Sequence, residues 1–472
     1  MRLFKHHVHV ASVRLAILEV ALLGLLSYYA IWYLENFRNT PVGGAFWDLV
    51  AILTIVMFVV MYSVGLYNKE SIISPLKNLS KLIIVFLCAP IVTDFAVQIY
   101  VKFSTQLNPI RFTFGARAEA FLVFFSTSFL AIISTRLLFL KIVDLQLLQK
   151  NILVLGTGRK AEKLENFMMQ HENKNFVHLR FAAVADEEVL VPREKIVFYR
   201  NLSNISLNDA IKHHHIDELV VASDDRRGLP IDAILACKLA GMKVTEYLAF
   251  YEREAGRVDL DALYPSWLVY SDGFSLQWWD NLAKRTFDVT VSLLFLAFTL
   301  PITLIAAILI RLDSPGPIFY RQERVGQNGQ NFMVMKFRSM RTDAEAGGPQ
   351  WASQNDSRIT RIGEFLRQTR IDEIPQILNV LRGDMSFIGP RPERPFFVES
   401  LSRHVPYYRE RHRMKPGITG WAQINYPYGA SIADAKEKMS YDLYYLKNFT
   451  IFLDVLILLQ TARVVLWPSG VR

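Results

Sequence analysis

Between Arg367 and Pro392 the chain gathers residues that could handle a phosphate ester. They are Arg367 and Arg370, the run Asp372-Glu373-Ile374-Pro375-Gln376, then Gly383-Asp384-Met385-Ser386 and Gly389-Pro390-Arg391-Pro392. Adjacent carboxylates can hold a divalent cation or attack an electrophile, guanidinium groups grip phosphate oxygens, and a Gly/Pro-rich loop fixes the backbone around them. The plain alternative is a solvated helix start followed by a turn. Pro375 sharpens the reading, because a helix tolerates proline well only in its first turn, where the N–H groups lack partners anyway. A helix should therefore begin near Asp372, with a positive end that keeps both carboxylates ionised and draws in phosphate. Neighbours on a helix point about 100° apart, so the two acids should take different tasks, one attacking and the other holding or orienting an ion. Prolines on both sides of Arg391 aim its guanidinium in advance.

Upstream, the alternating run 332–340 reads as a strand with Lys336 and Arg338 on one face. There they meet a diphosphate or form a basic edge against anionic lipid.

These residues need a scaffold, and the composition indicates a membrane protein. Of 472 residues 51% are hydrophobic, too many for an ordinary soluble enzyme, and the length allows two or three domains. The net charge of +9 suits a protein lying on anionic lipid and taking anionic substrates. Nucleic acid would tolerate that charge but is not among the expected partners. Cys88 and Cys237 give no disulfide framework. The N-terminus reads as an anchor and not as a removable signal peptide.

Residues 1–150 hold four apolar stretches, about 13–34, 46–67, 79–101 and 118–140, each near the length a helix needs to cross the hydrocarbon. Arg2, Lys5 and Arg14, then Lys69, Lys77 and Lys81, then Arg136, Lys141 and Lys150 favour the cytoplasm, whereas Lys102, Arg111 and Arg117 spoil the pattern. Glu19 and Asp94 fall inside spans and either serve function or face helix partners.

In residues 151–250 a short apolar strand runs into Gly156-Thr157-Gly158-Arg159-Lys160-Ala161, the Gly-x-Gly-x-x-Gly/Ala turn of a dinucleotide-binding unit. Gly156, Gly158 and Ala161 form a nucleotide turn, or a scaffold domain has kept it. The acid that would hold a ribose has only Asp186 as a candidate, and it comes late. His213-His214-His215 reads as a solvated loop in preference to a metal tract. A membrane-anchored nucleotide-sugar dehydratase or epimerase would need Tyr-x-x-x-Lys, and no tyrosine here has lysine four residues on.

Residues 251–277 read as a turn-rich linker. Trp278-Trp279 with Lys284-Arg285 then form an aromatic and basic collar at headgroup depth. The apolar run 289–310 could cross the membrane, but basic residues flank both ends and Pro301 sits inside it. A helix broken at Thr299-Leu300-Pro301 could instead enter and leave by one face, a re-entrant segment over 284–311. The run 451–467 is short for a crossing and reads as an amphipathic interface helix with Asp454 on its polar face.

Lys336-Phe337-Arg338-Ser339-Met340, Asp372-Glu373-Ile374-Pro375-Gln376, the stretch from Asn379 to Pro392 and Lys415-Pro416-Gly417-Ile418-Thr419-Gly420-Trp421-Ala422-Gln423 resemble the bacterial sugar transferases. These are polyprenyl-phosphate hexose-1-phosphate transferases, also called monotopic phosphoglycosyl transferases. The likeness runs from about residue 284 to the C-terminus, and four spans plus a Rossmann-like domain ahead of it are similar to the large exopolysaccharide and O-antigen initiating members.

The resemblance implies that an aspartate attacks the β-phosphate of a UDP-sugar, releases UMP, and passes the phosphosugar to undecaprenyl phosphate with Mg²⁺ as cofactor. By its motif Asp372 would be the nucleophile, and Glu373 would support it and the metal. Lys336, Arg338, Arg367, Arg370 and Arg391 would face phosphates, Asp442 and Asp454 would support the site, and Pro301 would break the re-entrant helix. One departure stands out. The family's loop arginine is missing at Gln423-Ile424-Asn425-Tyr426-Pro427-Tyr428-Gly429, where Arg409, Arg411 or Arg413 could substitute.

The expected fold is thus a membrane protein, α plus α/β. It has a four-helix transmembrane region (1–150), a Rossmann-like α/β domain (151–250), a linker (251–277) and a mostly helical catalytic domain (278–472) with a re-entrant helix and amphipathic interface helices. The expected site is the cytosolic face of a bacterial inner membrane, with membrane lipids as partners and homodimerisation left open. The competing functional reading is a non-catalytic scaffold or regulator of polysaccharide synthesis whose Rossmann-like domain senses a ligand. Single-displacement transfer, with Asp372 or Glu373 as general base, is the alternative within the enzyme class.

Overall fold

Long apolar runs that cannot leave backbone groups unpaired in lipid become helices. Four occupy the N-terminal region: α1 (Val10–Phe37), α2 (Phe46–Ser63), α3 (Leu79–Phe103) and α4 (Phe114–Ile142). The computed structural model describes residues 2–3, 6–7, 10–37, 43–67, 79–103, 114–142, 150–170, 177–184, 187–198, 207, 211–274, 277–342, 344, 358–427, 429 and 431–466. Lys5, Lys69, Lys77, Arg111, Asp186 and Tyr428, named above for topology, ribose binding and the departing loop, lie outside the described residues.

The chain divides into two compact units, residues 7–251 and 252–472. In the first, α1 packs against α2 and α4, and α3 packs against both of these. Leu23, Leu49, Met57, Val85, Phe124 and Ile132 fill the interior. Leu25, Ile55, Leu87, Ile91, Leu122 and Leu130 face outward, an apolar exterior that suits lipid and marks the chain as membrane-associated. Glu19 faces a helix partner: its two oxygens accept from Arg136 Nε at 2.8 Å and Nη2 at 3.1 Å, and Arg136 Nη1 donates to the Leu66 carbonyl at 3.2 Å. Asp94 accepts from Gln98 one turn on.

The rest of this unit is an α/β layer. Its strands are β1 (Lys150–Leu155), β2 (Val177–Ala182), β3 (Ile196–Phe198), β4 (Glu218–Val221) and β5 (Lys243–Glu246), all parallel in the order β3-β2-β1-β4-β5. That is the doubly wound order with its switch point between β1 and β4. The helices α5 (Arg159–Gln170) and α6 (Ile231–Leu239) alternate with the strands, as right-handed βαβ connections require. His213 and His214 meet edge to face with their Nδ1 atoms 3.5 Å apart, and among the described residues no three His, Cys, Asp or Glu gather to hold a metal.

In the second unit the expected linker is a packed part of the fold. Its apolar and aromatic residues find partners on α14 (Ile432–Asn448): Val258 N donates to Ser440 O at 3.0 Å, and Lys447 Nζ lies 4.2 Å over the buried Trp267 ring. Glu252 accepts from Lys447 and Asn448, and Trp421 Nε1 donates to Gly256 O at 2.7 Å. Between these stretches lie α7 (Tyr247–Ala255), which spans the division, and α8 (Pro265–Tyr270).

The helix α9 (Trp278–Asp313) continues through Pro301 without the expected break. Pro301 removes one amide donor, while the Thr299 and Thr303 hydroxyls donate to the Phe295 and Leu300 carbonyls at 2.8 and 2.7 Å. Together with α1–α4 it makes five helices among the described residues that are long and apolar enough to cross a membrane. Trp278 and Trp279 are exposed, as an interface collar would be. Lys284 and Arg285 are not part of that collar. Lys284 is buried, donating to Asp454 Oδ2 at 2.7 Å and Ile388 O at 3.0 Å, and Arg285 donates to the Val380 and Leu381 carbonyls at 2.6 and 2.7 Å. Desolvated carbonyls at a helix end and a buried carboxylate hold cations more firmly than headgroups do.

Beyond α9 come a hairpin, β6 (Phe319–Val325) and β7 (Asn331–Phe337), then α10 (Arg361–Gln368), a 3₁₀ turn (Ile371–Gln376), and α11 (Ile377–Arg382). Short strands β8 (Ser386–Ile388) and β9 (Gly417–Thr419) pair in parallel, with α12 (Pro395–His404) between them in the chain and α13 (Trp421–Asn425) after them, and α15 (Ile451–Leu466) closes the unit with Asp454 facing inward. Replacing Lys284 by Met would strand the Asp454 carboxylate in the interior. The expected loss is about 3–5 kcal/mol, read from denaturant unfolding of the detergent-solubilised protein, and a loss below about 1 kcal/mol would show that the pair is solvated.

Candidate active site

The Asp-Glu pair sits at the start of a continuous helical segment, as Pro375 requires, but the opening turn is 3₁₀. Arg370 precedes it in a left-handed conformation at φ 58°, and Pro375 falls before α11 begins. Both Asp372 and Glu373 are 8% exposed. One buried side chain locks this segment to the hairpin. Asn379 Oδ1 accepts from Met335 N at 3.0 Å and its Nδ2 donates to Met333 O at 2.8 Å, so it continues the ladder of β7 where no strand does. Lys336, next along β7, is thereby delivered to Glu373.

Three cations from three segments meet at Glu373. Its Oε1 accepts from Lys336 Nζ at 2.8 Å and from Arg391 Nη2 at 2.7 Å, and its Oε2 lies 3.9 Å from Arg370 Nη1. Burial pushes the Glu373 carboxyl up, but the charges of Arg391, Lys336 and Arg370 outweigh it and hold the group well below the usual carboxylate range. Asp372 behaves oppositely. Burial, followed by the neighbouring Glu373 charge, pushes it up to about 6 against the pull of Lys336, Arg367 and Arg370. Its Oδ1 is buried and has no hydrogen-bond partner. The helix end alone does not set the ionisation of the pair; burial divides it into a fixed anion and a poised one.

Arg391 is aimed by its loop. Gly389 N donates to Thr419 O and Gly417 N to Pro390 O, each at 2.9 Å, so the Gly-Pro-Arg-Pro segment extends the β8–β9 pair. A Cβ on Gly417 would collide with the Gly389 amide, which is why the Lys-Pro-Gly run must carry glycine there. From the other side the buried Arg411 donates to Arg391 O at 3.0 Å and pairs with Asp442 at 2.9 Å.

Several expected site residues lie elsewhere. Arg338 does not face the site: it is buried, donating to Pro315 O at 3.0 Å and Ser314 O at 2.6 Å at the C-terminal end of α9, where unpaired carbonyls attract a guanidinium. Asp442 acts at one remove, through Arg411. Asp454 holds Lys284 and accepts from Tyr445 Oη at 2.7 Å, so it ties α9 to α15. Neither acid touches the Asp-Glu pair. Of the three arginines weighed as substitutes for the missing loop arginine, Arg411 is committed to Asp442 and Arg391, and Arg413 pairs with Glu410 at the surface.

Sequence reasoning missed Asn379, Arg411 as an anchor, and Asp288, whose Oδ1 accepts from Ser386 Oγ and Phe387 N at 2.9 Å each. An acid at the very edge of an apolar run was the available signal for Asp288. Asn379 offered none, since an amide continuing a strand ladder depends on a neighbour distant in sequence.

A buried acid pair with converging cations beside a long apolar helix is an arrangement suited to phosphate esters at a membrane. The family model for bacterial sugar transferases matches residues 279–468. A UDP-N-acetylgalactosamine-undecaprenyl-phosphate N-acetylgalactosaminephosphotransferase of Aeromonas hydrophila is 40% identical over 256 residues, 53% of this chain and 58% of its own length. An undecaprenyl-phosphate glucose phosphotransferase of Komagataeibacter xylinus is 43% identical over 191 residues, 39% of this chain and 36% of its own. Exopolysaccharide production protein PSS of Rhizobium leguminosarum bv. phaseoli is 44% identical over 191 residues, 39% of this chain and 94% of its own. The chain therefore spans less than two thirds of the length of the first two relatives but nearly all of the third. It belongs to the bacterial sugar transferase family.

Asn379→Ala would leave the Met335 amide and Met333 carbonyl unpaired in the interior. The expected cost is about 2–4 kcal/mol, measured by thermal or denaturant unfolding, and a neutral substitution would show that the amide does not clamp β7.

Proposed function

We propose that this chain transfers a sugar 1-phosphate from a UDP-sugar to undecaprenyl phosphate and so starts the assembly of a lipid-linked exopolysaccharide or O-antigen. The observation that carries the reading is Asp372 Oδ1, a buried carboxylate oxygen without a partner beside a Glu373 held by three cations. The relatives' names supply the substrate class, undecaprenyl phosphate and UDP-sugars.

In the first step an oxygen of the ionised Asp372 attacks the β-phosphorus of the UDP-sugar. The bond from that phosphorus to the oxygen bridging it to the α-phosphate breaks, and UMP leaves with the electron pair. The sugar phosphate is then an acyl phosphate on Asp372. In the second step a phosphate oxygen of undecaprenyl phosphate attacks the same phosphorus and the aspartate leaves. Glu373 does not compete as nucleophile, because Lys336 and Arg391 occupy one of its oxygens. It instead holds those cations at the place where diphosphate charge arrives. Arg367 and Arg370, whose charges already act on Asp372, would meet the remaining phosphate oxygens.

Mg²⁺ fits this donor set. Asp372, with its unpartnered oxygen, and Glu373, through Oε2, would hold it, leaving other positions to water and phosphate as that ion prefers. Bound there, it would neutralise diphosphate charge.

The path of α9 supports a monotopic placement. Arg285 on its first limb bonds the end of α11, while Ala306 and Ile310 on its second share a buried cluster with Phe337, Leu366 and Ile371. A straight helix would separate Arg285 and Ile310 by about 37 Å, more than the hydrocarbon thickness of about 30 Å. Yet both limbs pack on one compact unit, with exposed Leu293, Phe298, Leu300 and Ile305 between them. A helix bent at Pro301 that dips into the inner membrane from the cytosolic face satisfies both conditions.

The test is UMP release by detergent-solubilised protein supplied with Mg²⁺, undecaprenyl phosphate and a panel of UDP-sugars. Asp372→Asn should lower the rate by about 10³-fold or more, and a phosphosugar should be trapped on Asp372 when the lipid acceptor is withheld. Retention of most activity would remove Asp372 as nucleophile, and UMP release with no adduct would favour direct transfer. Since the attacking form is the carboxylate and burial raises its pKa to about 6, kcat/KM should hold near neutrality and fall about tenfold per pH unit below that value. A flat profile down to pH 5 would contradict this ionisation.

A further inference from the structure

The Gly-rich turn after β1 has the sequence and position of a pyrophosphate site, at the switch point of the sheet. Its donors are already in use. Asp224, in the loop after β4, accepts from Arg159 N through Oδ2 at 2.7 Å and from Lys160 N through Oδ1 at 3.3 Å, the opening amides of α5. Glu187, beyond the end of β2, accepts from Thr157 N through Oε2 at 3.0 Å. Its Oε1 accepts from Asp224 N at 2.8 Å and from Ser223 Oγ, which joins the two carboxylates into one latch. Lys160 Nζ donates to Ser223 O at 2.9 Å across the same gap.

We infer that Asp224 and Glu187 are the internal occupants of this anion site, and that the middle domain takes no dinucleotide or nucleotide diphosphate. Helix N-termini and glycine turns bind phosphate through free amides and positive potential. Here the Thr157, Arg159 and Lys160 amides each meet a carboxylate oxygen, and an incoming diphosphate would have to displace both acids and then lie beside their charge. The glycines fit the same account. A Cβ on Gly158 would run into the Asp224 carboxylate, and one on Gly156 would lie 2.8 Å from the Ala222 carbonyl. Both therefore make room for the chain's own β4 loop. Glu187, the residue after Asp186, is turned into the glycine turn. The domain keeps the nucleotide-binding turn as a fastener between β1, β2 and β4. The inference concerns a different unit from the transferase site and stands or falls without it.

Hydrogen exchange at Thr157, Arg159 and Lys160 of the full-length protein in detergent micelles tests it, with NAD⁺, NADH, UDP and inorganic pyrophosphate as probes. The ligand-free wild type should protect these amides, and none of the probes at about 1 mM should add protection. Asp224→Ala should speed exchange at Arg159 and Lys160 by about tenfold or more, and Glu187→Ala should do the same at Thr157. Free exchange in the ligand-free wild type would overturn the latch, and added protection by any probe would overturn the exclusion of nucleotides. The wild-type measurements decide both points even if a variant fails to fold.

Discussion

A buried carboxylate must find positive charge, and at Glu373 that requirement brings three parts of the chain together. Lys336 comes from the hairpin, Arg391 from the loop after β8, and Arg370 from the left-handed residue before the acid pair. None of these cations could be held so close to the others without the anion between them. Lys336 shows the tension directly: burial pushes its pKa down, the Glu373 charge pushes it back, and Arg391 adds to the downward pull. The pair of adjacent acids therefore divides its work by environment. One acid organises the cations, and the other keeps an unpartnered oxygen.

The supports of this cluster are hydrogen bonds to main chain. Asn379 stands in for a missing strand beside β7, Arg411 grips the Arg391 carbonyl, and Arg285 and Arg338 cap helix ends. Four side chains that would be listed as polar or charged by composition thus do structural work inside the domain. Cations in a basic protein are easily assigned to phosphate or lipid, yet buried carbonyls at helix C-termini compete for them and hold a guanidinium bidentately.

Much of the site was legible because proline and glycine restrict the backbone locally. Pro375 placed the start of the helical segment, Pro390 and Pro392 marked the loop that aims Arg391, and Gly156 and Gly158 announced the doubly wound sheet. What stayed hidden depends on residues distant in sequence. Arg338 looked like the partner of Lys336 because alternation along a strand is local, but its true partner is the end of α9. Lys284 looked like a headgroup anchor because Trp278 and Trp279 precede it, and only Asp454, far along the chain, buries it. Pro301 pointed to a break, but the helix runs through it from Trp278 to Asp313, because one missing amide donor is a local loss that the packing of a long apolar helix can outweigh. The glycine turn showed the fold but not that acids would meet its amides, because Asp224 and Glu187 come from the loops after β4 and β2.

The network of Lys284, Asp288, Asp454 and Tyr445 also bears on how such a protein could evolve or be handled. Asp288 caps the Ser386 hydroxyl and Phe387 amide, and Lys284 satisfies both Asp454 and the Ile388 carbonyl. The first turns of α9 are therefore interior walls of the domain that carries the acid pair, and no cut through the chain separates an anchor from a water-soluble catalyst. A lineage that discarded α9 would leave the Asp454 carboxylate and the Phe387 amide without these partners inside the domain, so the long apolar helix is part of how the domain folds and is not an address attached to it.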